Sequence, residues 1–186
     1  EAQPGALAQF TSLRSYSTSE FMTLDPATRR NLELTDTLRG RDVKLSLLGV
    51  IDLTRTAMGG RLIRSMLSQP LLDRSSLEQR LDRVQAFYTG TTLRAKTREL
   101  LKSMPDLERG VGRVVSNNAS PRDLVAIRAA LKLVPSLAEL VTLPEVFGSS
   151  DHASTKPPGG LLSLDPSSDI LDLLERSIVD EPPASP

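Results

Sequence analysis

Apolar residues recur through most of the chain at spacings of three and four, the mark of helices that each bury one face. Leu47, Leu48 and Ile51 predict a short helix. Met58, Leu62, Ile63, Met66 and Leu67 predict a longer one, capped by Thr56 and stopped at Gln69-Pro70, because the residue before a proline avoids the helical region. Leu77, Leu81, Val84 and Tyr88 then share a face behind a capping box of Ser75 and Glu78, and Gly90 closes that helix. Leu93, Thr97, Leu100 and Met104 line the next, which ends at Pro105. Leu107, Val111 and Val114 give a further stripe, weakened by Gly110 and Gly112 at about 1 kcal/mol each. Ser120-Pro121 with Asp123 is the clearest helix start in the chain. Leu124, Ile127, Leu131 and Val134 carry its stripe to Pro135, with a short turn at Leu137, Leu140 and Val141 beyond.

The flanks are different. Residues 1–20 are small and polar and read as a lead-in. Asp25-Pro26 opens a short helix to about Leu34, which Arg39-Gly40-Arg41-Asp42 breaks. Residues 21–143 form the helical core, and 144–168, rich in Gly, Ser and Pro, read as a mobile linker. Residues 169–181 hold a closing helix with Ser168 as its cap and Ile170, Leu171, Leu174 and Ile178 on its apolar face. The fold class is all-α, a multi-helix, bundle-like domain whose apolar stripes are buried only against one another. An apolar patch left uncovered, of which the wide face of Met58, Leu62, Ile63, Met66 and Leu67 is the example, is expected either to drive self-association or to take the closing helix around Leu171 and Leu174.

Composition sharpens this picture. Of 186 residues, 32 are Leu and 3% are aromatic, a core chemistry that favours helices. No apolar run approaches the roughly 20 residues of a membrane helix, and the start of the chain has no basic-then-apolar export signal, so a cytoplasmic location is expected. The chain opens on Glu1-Ala2-Gln3 without an initiator Met, which reads as a piece of a longer polypeptide. There is no Cys and only one His, His152, which argues against thiol chemistry, His-rich metal sites and a Ser–His triad. Charge is zero overall but uneven, with 21 basic against 15 acidic side chains in residues 1–143 and 2 against 8 in the remainder.

Few residues offer chemistry. The chain has no phosphate-wrapping Gly-rich loop ending in Lys, and Gly59-Gly60 falls inside a helical pattern. The carboxylate pairs Glu78/Asp82 and Asp172/Glu175 stand beside arginines at helical spacing, as solvated ion pairs do. No catalytic residue, metal site or cofactor site is predicted. The basic clusters, from which Arg61, Arg64, Arg94 and Arg98 are the candidate weak phosphate contacts, lack interleaved aromatics. A solvated face, DNA contact or partner-protein contact would each use such residues.

Taken in order, several segments resemble a known family. Phe21-Met22-Thr23-Leu24-Asp25-Pro26-Ala27-Thr28-Arg29-Arg30-Asn31-Leu32-Glu33-Leu34 resembles the opening of the core domain of the MutS family of bacterial DNA mismatch-repair proteins. Ser46-Leu47-Leu48-Gly49-Val50-Ile51-Asp52, Thr56-Ala57-Met58-Gly59-Gly60-Arg61-Leu62, Gln69-Pro70-Leu71, Arg80-Leu81-Asp82-Arg83-Val84, Asp106-Leu107-Glu108-Arg109, Ala119-Ser120-Pro121-Arg122-Asp123-Leu124 and Leu173-Leu174-Glu175-Arg176-Ser177-Ile178 are similar to its later motifs. The resemblance runs from about Leu13 to Pro183, with Ala57 where the family often has Pro and Met66 where Trp is common. It implies a core, or lever, fragment that couples the ATPase of a longer protein to its DNA-gripping parts and catalyses nothing itself. ATP and magnesium would belong to the longer protein alone. Its partners would be the other domains of that protein, mismatched double-stranded DNA reached through it, and a second copy in a homodimer. The competing readings are a free-standing basic helical DNA-binding module and a helical protein–protein adaptor.

Overall fold

Side-chain caps fix where several of the helices begin. The computed structural model describes residues 21–141 and 164–183. The expected lead-in over 1–20 and most of the expected linker over 144–168, His152 included, lie outside the described residues. Asp25 accepts the backbone N–H groups of Ala27 and Thr28 at 2.8 and 2.9 Å and so starts α1 (Pro26–Asn31). Ser46 does the same for α2 (Leu47–Ile51) through Gly49, and Thr56 for α3 (Ala57–Ser68) through Gly59. α4 (Arg74–Thr89) and α5 (Thr91–Lys102) are separated only by Gly90. α6 (Leu107–Val115), α7 (Pro121–Val141) and α8 (Ser168–Ser177) complete the described helices. The only strand-like pairing among the described residues is an isolated bridge between Phe21 and Leu71. The architecture is all-α.

The centre of the molecule is α7, on which α5, α6 and α8 pack. Ile127 and Leu131 of α7 and Leu174 of α8 form the buried cluster, with Leu107, Leu124, Leu171 and Ile178 against it. The closing helix therefore docks on the α7 stripe and not on the α3 face. The α7 stripe is the better seat because α6 already walls one side of it. Gly110 of α6 makes that approach close: a Cβ there would stand 3.1 Å from Cγ1 of Ile127. At the other end, α2 packs on α3, and Leu47 and Leu48 donate their N–H groups to the carbonyls of Glu33 and Leu34. Gly49 is obligatory there, because a Cβ would run into the backbone carbonyls of Val43 and Lys44.

Four further sequence expectations change. Pro135 does not end a helix; α7 runs through it to Val141. The proline lacks the N–H that would reach the carbonyl of Leu131, yet Leu131 before it and Leu137 after it are both buried, and that packing outweighs the missing rung. The cap of α4 is Asp73, which accepts from Ser76 N–H, so Ser75 and Glu78 form no capping box. Ser75 instead donates to Asp73, and Glu78 pairs with Arg74. Ser168 is the first residue of α8; the cap position is Ser167, in left-handed backbone and without a side-chain bond to the helix. Finally, Leu77, Leu81, Val84 and Tyr88 do lie on one face of α4, but that face is exposed. Ser76, Gln79, Arg80, Arg83, Ala86 and Phe87 are the half-buried side.

Candidate functional site

Arginines join the helices in series. Arg61 of α3 reaches the start of α6, where its Nη1 and Nη2 donate to the two carboxylate oxygens of Asp106 at 2.9 and 2.7 Å. The same guanidinium gives Nε and Nη2 to Oε2 of Glu108 at 3.0 and 2.7 Å. Asp106 is also the cap of α6, accepting the Arg109 N–H, so one carboxylate both starts that helix and ties it to α3. Hydrogen bonding from Arg61 holds the Asp106 carboxyl down at about 2, and the two carboxylates in turn raise the Arg61 guanidinium further above its usual range.

The series continues from α6 to α7 and on to α8. Arg113 donates to Oδ1 of Asp123 at 2.6 Å, while Oδ2 of that residue receives the N–H and hydroxyl of Ser120 at 2.9 and 2.8 Å. Arg113, followed by these Ser120 bonds, sets the Asp123 carboxyl at about 2. Arg128 of α7 is buried, and its Nη1 donates to the carbonyl of Ile178 and its Nη2 to Asp180, at 2.7 and 2.6 Å. One turn on, Lys132 pairs with Glu175 of α8 at 2.8 Å. Arg128 falls four residues after Leu124 and four before Lys132, so its place beside the core stripe was readable from spacing. The partners, fifty residues away, were not.

The four candidate phosphate contacts part company. Arg61 is taken up by two carboxylates, and Arg64, one turn further along α3, is exposed and does not line the pocket that holds the other two. Arg94 and Arg98 come together in a pocket of about 370 Å³ with Arg55 and Lys102, lined also by Thr91, Ala95 and Glu99. Lys96 stands between Arg94 and Arg98 in sequence, but helical geometry puts Lys102 on their face instead, since positions four apart stack. Lys96 lines a different groove, against α7. Arg55 comes from the turn before α3, and nothing local in the sequence places it there. Among the described residues no three of His, Cys, Asp and Glu gather as a metal site would require.

Side chains of this kind define a class: a helical domain whose elements are cross-linked by charge. The family model for MutS domain III matches residues 27–186. The chain belongs to that family. It is 40% identical over 185 residues to the DNA mismatch repair protein MutS of Bacillus velezensis, covering all of this chain and 20% of the relative. The same protein of Halothermothrix orenii is 40% identical over 186 residues, again with 100% and 20% coverage. That of Chloroflexus aurantiacus is 40% identical over 182 residues, covering 96% of this chain and 18% of its own. The chain thus spans about a fifth of the length of the curated relatives it matches. No helix among the described residues is long and apolar enough to cross a membrane.

Proposed function

We propose that the chain is a non-catalytic connector in a mismatch-repair protein, passing mechanical state between an ATPase and the parts that grip mismatched DNA. The observation that carries this reading is the run of ion pairs from α3 to α6, from α6 to α7, and from α7 to α8 and to Asp180 just beyond it. Packed helices tied in this way move together, and a stiff element passes on a small displacement that a soft one would absorb. ATP and magnesium would bind elsewhere in the longer protein, which would work in the cytoplasm as a homodimer on mismatched double-stranded DNA. Membership of the family, at 40% identity over the full chain, supports that setting.

The test is Arg61→Ala in the full-length protein that carries this chain. A connector loses the stimulation of ATP turnover by mismatched DNA, while turnover without DNA and affinity for the mismatch are kept. Unchanged stimulation, with the α3–α6 tie broken, would overturn the role.

A further inference from the structure

Most of the arginines that tie helices together spend their charge on a carboxylate, but Arg94 and Arg98 do not. Arg94 Nη1 donates to the carbonyls of Phe87 and Tyr88, at 2.8 and 2.9 Å, at the end of α4. Arg98 Nη1 donates to the carbonyl of Leu53 at 3.1 Å, in the turn after α2. A neutral carbonyl fixes the direction of a guanidinium without cancelling its charge. Both side chains are half-buried, and each keeps its Nε and Nη2 groups for another acceptor. The bond to Leu53 also holds its turn against α5, which brings Arg55 across from the pair. Lys102 extends the row one turn further along α5.

The charge of the pocket is correspondingly lopsided. Arg55, Arg94, Arg98 and Lys102 face one carboxylate, Glu99, which pairs with Lys102 at a loose 3.7 Å and is itself exposed. We propose that this pocket is an oxyanion site that takes a phosphate group, either a phosphodiester of a nucleic-acid backbone or a free phosphate. Three guanidinium forks suit a tetrahedral oxyanion, whose several oxygens accept paired N–H donors at once. A single carboxylate would leave most of the charge unmatched. The site is a property of this chain alone and is independent of the connector role.

The test titrates the ¹⁵N-labelled chain with inorganic phosphate at constant ionic strength, using chloride as the balancing salt. Saturable shifts are expected at the amides of Thr91, Ala95 and Arg98. Arg55→Ala and Lys102→Ala should weaken them, and neither side chain holds a hydrogen bond between helices, so these variants fold. Arg98→Gln removes a guanidinium fork as a third check. A second arm uses a short DNA duplex. If nucleic acid is the source, the duplex shifts the same amides, and each cation removed lowers the slope of log affinity against log salt by about 1. If free phosphate is the source, phosphate shifts them and the duplex does not. Equal shifts with chloride, no saturation, or shifts that survive both Arg55→Ala and Lys102→Ala overturn the proposal. So does tighter binding of a glutamate-rich peptide than of phosphate or duplex.

Discussion

The α6–α7–α8 group and the helices α3 and α4 are written in the same sequence style but are built differently. α7 buries Ile127, Arg128, Ala130, Leu131 and Leu137, whereas neither α3 nor α4 buries a single residue fully. Both groups carry apolar stripes of four or five residues at helical spacing. In one group the stripes meet: Leu124, Ile127 and Leu131 face Leu107 of α6 and Leu171 and Leu174 of α8. In the other, the stripe of Leu77, Leu81, Val84 and Tyr88 faces solvent. A periodic stripe states that a helix has an apolar face. It does not state what covers that face.

The largest effect should separate the two groups directly. Leu131 is 7% exposed and Leu81 66%. Leu131→Ala is expected to cost about 2–5 kcal/mol, since removing a buried leucine loses transfer energy and leaves a cavity. Leu81→Ala should change stability by less than about 0.5 kcal/mol. Urea midpoints of the two variants, read at equal m-values, measure the gap. Equal losses would mean that α4 is packed as tightly as α7.

The comparison also shows what could be read from sequence. Every described helix lies where hydrophobic spacing or a helix-start signal predicted one, because both are local and a helix satisfies its own backbone. Asp25, Thr56 and the Ser120–Asp123 pair cap as their spacing requires. The failures have one physical source, the competition between local and tertiary terms. Pro135 is a local stop signal overruled by leucines packing on both sides of it. Ser75 and Glu78 have the spacing of a capping box, but Asp73 stands two residues earlier with a stronger acceptor. At the pocket, Arg94 and Arg98 were legible as a pair on one helix, whereas Arg55 enters through a bond between Leu53 and Arg98, 45 positions apart. Nothing in local spacing encodes such a contact. The same holds for Arg61, whose carboxylate partners convert a candidate phosphate contact into a strut.

A smaller effect, carried by charge, is expected from acid. Asp106 and Asp123 sit in the cross-linked group and Asp73 at the start of α4, and all three carboxyls are held at about 2 against 3.8 for a free aspartate. The causes differ: guanidinium hydrogen bonds lead for the first two, and bonds from Ser76 and then Ser75 for the third. Because the folded values are depressed, the stabilisation is complete above the unfolded value. It is lost as pH falls from about 4 through about 2, where the unfolded chain takes up protons that the folded one refuses. Thermal midpoints should therefore fall over that window. Arg61→Ala should flatten the part due to Asp106 and leave that due to Asp73 intact. A fall as steep in the variant as in the unaltered chain would show that the α3–α6 tie contributes nothing to acid stability.

The smallest effect sharpens the comparison within a single helix. Gly110 and Gly112 both lie inside α6, where replacing glycine by alanine gains up to about 1 kcal/mol by restricting the unfolded chain and favouring the helix. They face different surroundings. A Cβ at Gly112 meets nothing within 4 Å, while one at Gly110 stands 3.1 Å from Ile127 Cγ1, in the seam where α6 closes on α7. Gly112→Ala should thus realise the whole gain, about 0.5–1 kcal/mol. In Gly110→Ala the same gain is opposed by displacement of Ile127 from a packed cluster, and the net should fall below that of Gly112→Ala. The pair share a helix, a starting residue and a product, so their difference isolates the seam. Equal gains in the two variants, measured by denaturation under one set of conditions, would mean that Ile127 yields freely and that α6 does not depend on a glycine to reach α7.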